Sequence, residues 1–255
     1  MDLNSFSFPV TERLIAVDNN KHTLMDLNDP TSYLQSGFKA IAREDTNECI
    51  SVVKNTYKVV RNSDLIDKLL RELATCGTGF KIDPSHSFVD NSRMRLQITF
   101  PGITLNDRES KIALSAFLHN SYDQSEGIRF YFGAIRHICS NGMVFGDVLT
   151  KYYARHTSGF RFEKLSEKLD EASEYMPVIQ NRINRLEDSP VTEALALKVS
   201  EQISKRLADQ VLQEHEIGRL SQWKLYNRLT NYVSHQLEPR HQTRYQQNIS
   251  KVFQL

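Results

Sequence analysis

Six polar residues that could take part in chemistry lie within one short stretch, LHNSYDQSEGIRFYFGAIRHICSNGMVFGD, which spans residues 118–147. They are Asn120, Asp123, Arg136, His137, Cys139 and Asn141. Cys139 could act as a nucleophile with His137 or His156 as its base, if its thiolate lay in an electropositive and partly exposed position. A single cysteine on a strand is more often a small packing residue. We therefore predict no catalytic residue.

Metal and nucleotide chemistry have little support in the spacing of the remaining residues. His119 with Asp123, or His235 with His241, could contribute metal ligands, but the chain has no HExxH or comparable pattern. It also has no GxxxxGK loop, no GxGxxG after a strand and no CxxC pair. We predict no metal, no cofactor and a reducing cytoplasm as the setting.

Alternating apolar residues indicate three successive strands that would position this stretch. RMRLQITF places Met94, Leu96 and Ile98 on one face, and KIALSAFL and GIRFYFGAIRHIC repeat the alternation. We expect Pro101-Gly102 to form the first turn, and the short connections favour an antiparallel meander. SDLIDKLLREL, just before it, has the spacing of an amphipathic helix.

The periodicity changes to helical spacing after residue 160. We therefore predict an α+β fold, in which an N-terminal antiparallel β-meander with one helix precedes a helical C-terminal half. We expect an irregular segment at 1–50, made of loops with one or two short strands, a β-rich motif domain at 51–160 and a helical region at 161–255 packed on it. No apolar run approaches the roughly 20 residues that span a bilayer, so we expect no membrane association.

The net charge of +1 conceals an uneven distribution. Residues 1–50 carry four basic and eight acidic side chains, whereas residues 127–161 and 218–255 are basic. Two basic zones are compatible with an acidic partner such as nucleic acid, although a basic zone is also often only a solvated face.

The polar face of the meander would combine cations with flat rings, an arrangement that suits a single-stranded nucleic acid. The competing explanation is that helices of the C-terminal half cover this face. We predict eight nucleic-acid contacts, namely Arg93, Arg95, Arg129, Tyr131, Arg136, His137, Arg155 and His156.

Arg136 lies in register with Phe132, on a face that should be apolar. A buried guanidinium needs a partner, because an unpaired buried charge costs several kcal/mol. Asp123 and Asp147 are the nearest candidates in sequence. A bulge at Gly133 would instead turn Arg136 towards solvent.

The remaining conspicuous residues are interpreted as structural. Asn141-Gly142 suits a tight turn, and Asn120 suits a loop whose side chains bond to its own backbone. Trp223, Asn227, Thr230 and Ser234 form one stripe at helical spacing, bordered by His235. The structural set is Asn120, Asp123, Cys139, Asn141, Gly142, Trp223, Asn227 and His235.

Two segments resemble an uncharacterised family carried by phages, plasmids and prophages, often described as a phage/plasmid-like protein or a domain of unknown function. The first is NSYDQSEGIRFYFGAIRHICSNGMVFG, where the family has an N-S-x-D loop, a strand, an arginine and a Cys-x-Asn-Gly turn, followed by a basic-His segment matched by ARHTSG. The second, WKLYNRLTNYVSHQ, is similar to the family's C-terminal Trp-x-x-Tyr-Asn, Thr and His pattern. The resemblance covers roughly residues 93–240, and this chain has Gln124 where the family usually has glycine. It implies a mobile-element setting and supplies no activity.

Our leading hypothesis is a non-enzymatic protein of a phage or prophage that binds or anneals single-stranded DNA. The meander is loosely similar to phage single-strand annealing proteins, at the level of fold only. The alternative is an interaction protein that binds a host factor in an antidefence role. A third hypothesis is a hydrolase or nuclease that uses Asp123, His137 and His156. We expect a homo-oligomer in the cytoplasm of a bacterial host cell.

Overall fold

The computed structural model describes residues 3–18, 33–83, 87–136, 141–143, 151–154, 156 and 161–255. The strands are β1 (Val10–Asp18), β2 (Tyr33–Arg43), β3 (Cys49–Lys54), β4 (Lys81–Ile82), β5 (Phe88–Val89), β6 (Arg93–Asn106), β7 (Lys111–Ser121), β8 (Ile128–Arg136), β9 (Asn141–Met143) and β10 (Lys151–Ala154). The helices are α1 (Asn62–Thr75), α2 (Leu165–Asp188), α3 (Glu193–Gln202), α4 (Lys205–Val211), α5 (Gln222–Gln236) and α6 (Pro239–Val252). The predicted α+β class, with the helical half last, is confirmed.

The strands form two antiparallel sheets. A small sheet has the order β1-β2-β3, and a larger one has the order β10-β8-β7-β6-β4, with β5 paired to β6 and β9 paired to β8. Residues 1–50 contribute two strands, β1 and β2, of nine and eleven residues, which are longer than the one or two short strands expected among loops there. Polar residues interrupt their apolar pattern, but some are paired across the strands, as Glu12 is with Lys39 at 2.9 Å.

The central meander β6-β7-β8 forms as predicted, except at its first turn. Strand β6 does not end at Pro101-Gly102 but continues through a register shift between Phe100 and Thr104. An irregularity in the ladder accommodates a proline, which has no N–H to donate. The turn comes later, where the Asp107 carboxylate accepts the backbone N–H groups of Glu109 and Ser110.

One face of the meander forms the main hydrophobic core. Leu96, Ile98 and Leu118 are completely buried there, and they belong to one cluster with the apolar stripes of α1, α2 and α5. A second, smaller core lies under the small sheet and contains Ile41 and Val53. No helix in the described ranges is both long and apolar enough to cross a membrane.

The end of β7 and the loop after it connect both sheets to α1. The prediction that Asn120 lies in a loop and bonds to its own backbone is wrong, because Asn120 belongs to β7 and bonds to the start of α1. The Asn120 amide donates to the Val60 carbonyl at 2.9 Å and to Asn62 Oδ1 at 2.8 Å. The Tyr122 hydroxyl accepts the Asn62 N–H, while the Tyr122 carbonyl accepts the hydroxyl of Ser51 in β3. The N-S-x-D stretch therefore holds together the start of α1, the small sheet and the end of β7.

Gln124, in the same loop, has a φ of 61°. This is the left-handed region, where a side chain costs about 1–2 kcal/mol and glycine is tolerated. The position is the one at which the resembling family usually has glycine.

We predict that Gln124→Gly raises the free energy of unfolding by about 0.5–1 kcal/mol, since strain is relieved but the unfolded chain gains entropy. Urea unfolding measures the change. Gln202→Gly, at the exposed last position of α3, is the matched control and should not raise the free energy of unfolding, because its φ is not in the left-handed region. A stability loss in Gln124→Gly would contradict the prediction.

Candidate functional site

The polar face of the meander is closed by α6. Arg95 is 7% exposed, and His119 and Tyr131 are also buried. Arg95 Nη2 donates to Gln242 Oε1 at 3.0 Å, and Thr243, the next residue of α6, is also buried. The expectation that Arg95 and Tyr131 face solvent is wrong, because α6 covers this face and brings polar side chains that satisfy part of it in place of water.

The two other predicted cations on this face are paired with carboxylates of the protein. Arg93 Nε lies 3.3 Å from Asp123 Oδ2, and Arg129 Nη1 lies 4.0 Å from Glu126 Oε2. The Arg129 side chain is 42% exposed and the Arg93 side chain 25%. Both guanidinium groups therefore have an internal counter-ion, which weakens their attraction for a phosphate.

Glu126, His119 and Tyr131 form a chain of polar contacts within this layer. His119 Nε2 lies 2.9 Å from the Tyr131 hydroxyl, and Nδ1 lies 3.6 Å from Glu126 Oε2. The second distance is too long for a strong hydrogen bond, so that contact is mainly electrostatic. Burial raises the pKa of Tyr131 to about 12, which makes its phenol a poor general base near neutral pH. The chain is best described as a buried network.

Burial lowers the pKa of His119, and the charges of Arg95 and Arg129 act in the same direction. Burial acts to raise the pKa of Glu126, but the contact with His119 and the charges of Arg129 and Arg93 lower it overall. At neutral pH the chain therefore holds a neutral imidazole beside a carboxylate.

Arg136 occupies the register position predicted for it. Strand β8 pairs with β7 without a register shift, and Arg136 lies opposite Ile112. The alternative of a bulge at Gly133 is therefore wrong. The side chain of Arg136, and the predictions for His137, Cys139 and Arg155, lie outside the described residues.

Asn141 and Gly142 lie in β9, where they pair with Arg136 and Ile135. The prediction that they form a tight turn is corrected, because their backbone positions belong to a strand added to the edge of β8.

His156, predicted to contact nucleic acid, is also buried. Its ring stacks on Tyr57 with centroids 4.8 Å apart and planes at 23°, and burial lowers its pKa. Because the ring is covered by Tyr57, a contact with a phosphate chain is excluded in this arrangement. Among the described residues, no cluster of three His, Cys, Asp or Glu side chains could hold a metal ion.

The predicted stripe on α5 packs against two neighbours. Trp223 stacks on Tyr226 with centroids 5.1 Å apart, and its Nε1 donates to Asp107 Oδ2 at 3.0 Å. Thr230 donates to the Tyr226 carbonyl, and the Ser234 carbonyl accepts from Gln242 of α6. Asn227 and His235 lie on the same helix. These contacts connect α5 to the β6–β7 turn and to α6.

A basic cleft that sequence reasoning missed lies between α2, the start of α3 and the end of the chain. It has a volume of about 340 Å³ and is lined by Arg182, Arg185 and Lys198, with no carboxylate side chain in its lining. Arg182 Nη1 donates to the Gln254 carbonyl at 2.9 Å. The side chains of Arg185 and Lys198 form no hydrogen bond or ion pair within the part of the chain that the structure describes.

The cleft was missed because its cations come from separate helices. Arg182 and Arg185 lie near Glu187 and Asp188 in sequence, so no basic run appears. These two carboxylates are ion-paired with Arg108. They therefore do not offset the positive charge of the cleft. Spacing of i, i+3 on one helix was the only sequence signal for the two arginines.

We predict that the folded state loses stability as the pH falls below 6.5, the ordinary pKa of histidine. A lowered folded-state pKa means that the unfolded chain binds the proton first, so stability is complete above 6.5 and lost below it. In His119→Gln, the slope of unfolding free energy against pH should fall by up to about 1.4 kcal/mol per pH unit. Urea unfolding between about pH 7.5 and 5 tests this.

His241→Gln, which changes an exposed histidine on α6, is the control and should keep the slope of the parent protein. An equal slope in His119→Gln and the parent protein would contradict the prediction.

Comparison with known protein families gives a match. The model of a domain of unknown function, DUF932, matches residues 49–255. No curated protein and no solved structure matches the chain. Since the matched region covers well over half of the chain, the protein belongs to the DUF932 family.

Proposed function

We propose that this protein binds single-stranded nucleic acid without catalysing a reaction, and that the basic cleft is its contact surface. The observation that carries the proposal is the set of three cations around one concave surface without a carboxylate in the lining. Phosphate contacts supply most of the affinity of sequence-independent binding, and each replaces counterions held by the nucleic acid.

The cleft suits a phosphate chain better than the sheet face does. Arg185 and Lys198 are exposed and have no internal acceptor among the described residues, whereas Arg93 and Arg129 already pair with carboxylates. A cation that keeps its hydration in the free protein can exchange water for phosphate without first breaking an ion pair.

The size of the cleft favours a single strand. A volume of about 340 Å³ accepts a short stretch of a flexible chain. A duplex has a persistence length of about 50 nm and presents its phosphates on a stiff cylinder, so it reaches a concave site less easily. We therefore propose a preference for single strands over duplexes.

The wider setting is part of the same proposal. The family resemblance supports a mobile genetic element, a phage or prophage, as the source, and the bacterial cytoplasm as the place of action. The loose similarity to annealing proteins supports a homo-oligomer that coats or anneals strands.

We predict that Arg185→Ala/Lys198→Ala weakens binding of a labelled single-stranded oligonucleotide by about tenfold or more in moderate salt. The slope of log affinity against log salt should become shallower by about 1.4, because each lost phosphate contact removes about 0.7. Fluorescence anisotropy measures the affinity and its salt slope in a salt titration. The titration is repeated with single- and double-stranded DNA and RNA.

The matched control is Lys54→Ala/Arg71→Ala, which removes two exposed cations from β3 and α1. It changes the net charge equally and should leave affinity within about twofold. Binding that ignores salt, or equal losses in the two double variants, would argue against the cleft.

A second candidate function, an interaction protein that binds a host factor in an antidefence role, is favoured by the outer face of the small sheet. Phe38 is 44% exposed and Val52 is 58% exposed, and the register places them on the same face. Exposed apolar side chains on one face suit a protein partner. One defined host protein captured by the parent and lost in Phe38→Ser/Val52→Ser, without salt-dependent nucleic-acid binding, would favour this function.

A further inference from the structure

Arg95 is a buried cation that forms no ion pair within the described residues, and the Glu126 carboxylate acts on its charge without pairing with it. Arg95 is 7% exposed, and its one hydrogen bond joins Nη2 to the neutral amide oxygen of Gln242 at 3.0 Å. Its Nε has no acceptor among the described residues. The ring of Phe88 lies 5.5 Å from its Cζ, a contact that offsets only part of the cost of burying a charge.

The charges around Arg95 do not balance within the described layer. The meander face contributes three guanidinium groups, those of Arg93, Arg95 and Arg129. Asp123 pairs with the first and Glu126 with the third. The described layer therefore has one guanidinium more than it has carboxylates. Desolvation lowers the pKa of Arg95, the most deeply buried of the three, and the charge of Glu126 offsets this only in part.

The orientation of Gln242 is fixed by its other contacts. Its Nε2 donates to the carbonyls of Ser234 and Leu237, both at 3.0 Å, so Oε1 must face Arg95. Gln242 therefore occupies one edge of the guanidinium and leaves Nε for another acceptor. Two residues along the same face of β6, the completely buried Gln97 has an amide oxygen without a donor among the described residues.

We propose that the layer between β6 and α6 is a binding site for a phosphate group, held by Arg95 and Gln97. Phosphate oxygens would accept from Arg95 Nε. A protonated phosphate also carries an O–H, which the free oxygen of Gln97 accepts. A carboxylate in its ionised form has no O–H to donate to Gln97. Chloride can accept from Arg95 but also has no O–H to donate. This site is separate from the basic cleft, whose lining contains neither residue.

The test is thermal unfolding of the full chain carrying Arg185→Ala/Lys198→Ala, so that the cleft does not contribute. We expect about 10 mM inorganic phosphate to raise Tm by roughly 3 °C over sodium chloride or acetate of equal ionic strength. Arg95→Gln should abolish this rise, and without phosphate its Tm should be no lower than that of the parent, because an uncompensated charge is removed.

Arg93→Gln is the matched control, since it removes an ion-paired guanidinium from the same strand, and it should keep the full response to phosphate. Arg95→Lys keeps the charge but loses Nε and should keep part of the response. Equal Tm in phosphate and chloride, or a rise that survives Arg95→Gln, overturns the site. An equal rise in acetate overturns the assignment to phosphate.

Discussion

The side chain of Gln242 joins the polar face of the central sheet to the helical half of the protein. Its amide oxygen accepts from Arg95 and its amide nitrogen donates to two carbonyls at the end of α5. Leaving such buried groups unpaired would cost about 1–3 kcal/mol each. The sheet can bury its polar face because α6 covers it and supplies an acceptor for Arg95. The closed polar layer, the exclusion of solvent and the position of Arg95 all depend on this match.

This constraint changes which cations are available for binding. A polar sheet face that carries arginines and rings looks like a nucleic-acid surface, but here the rings of Phe117 and Tyr131 stack on each other at 5.3 Å under α6. The accessible positive charge is found instead where two helices and the chain end leave a cleft. In this family member, the arginines and rings of the meander face are buried or ion-paired, and the proposed surface for single-stranded nucleic acid lies on the helices.

The meander, α1 and the long α5 could be predicted because each rests on a local period that the sequence displays. Leu65 and Leu69 follow helical spacing and are buried, as their pattern requires. The course of β6 beyond Pro101 could not be predicted, since a register shift depends on the partner strand. The closure of the polar face could not be predicted either, because a strand with alternating polar residues has the same sequence pattern whether water or a polar helix covers it. Arg185 and Lys198 meet across two helices, which local spacing does not report.

The family match begins at residue 49, which is the first residue of β3. The hairpin of β1 and β2 therefore lies outside the matched region, although β2 pairs along β3 from Phe38 to Ala42. A polypeptide limited to the matched region would leave the β2-facing row of N–H and C=O groups on β3 open, which is a template for intermolecular strand addition. In this protein the hairpin before residue 49 therefore caps that edge of β3 and guards it against self-association.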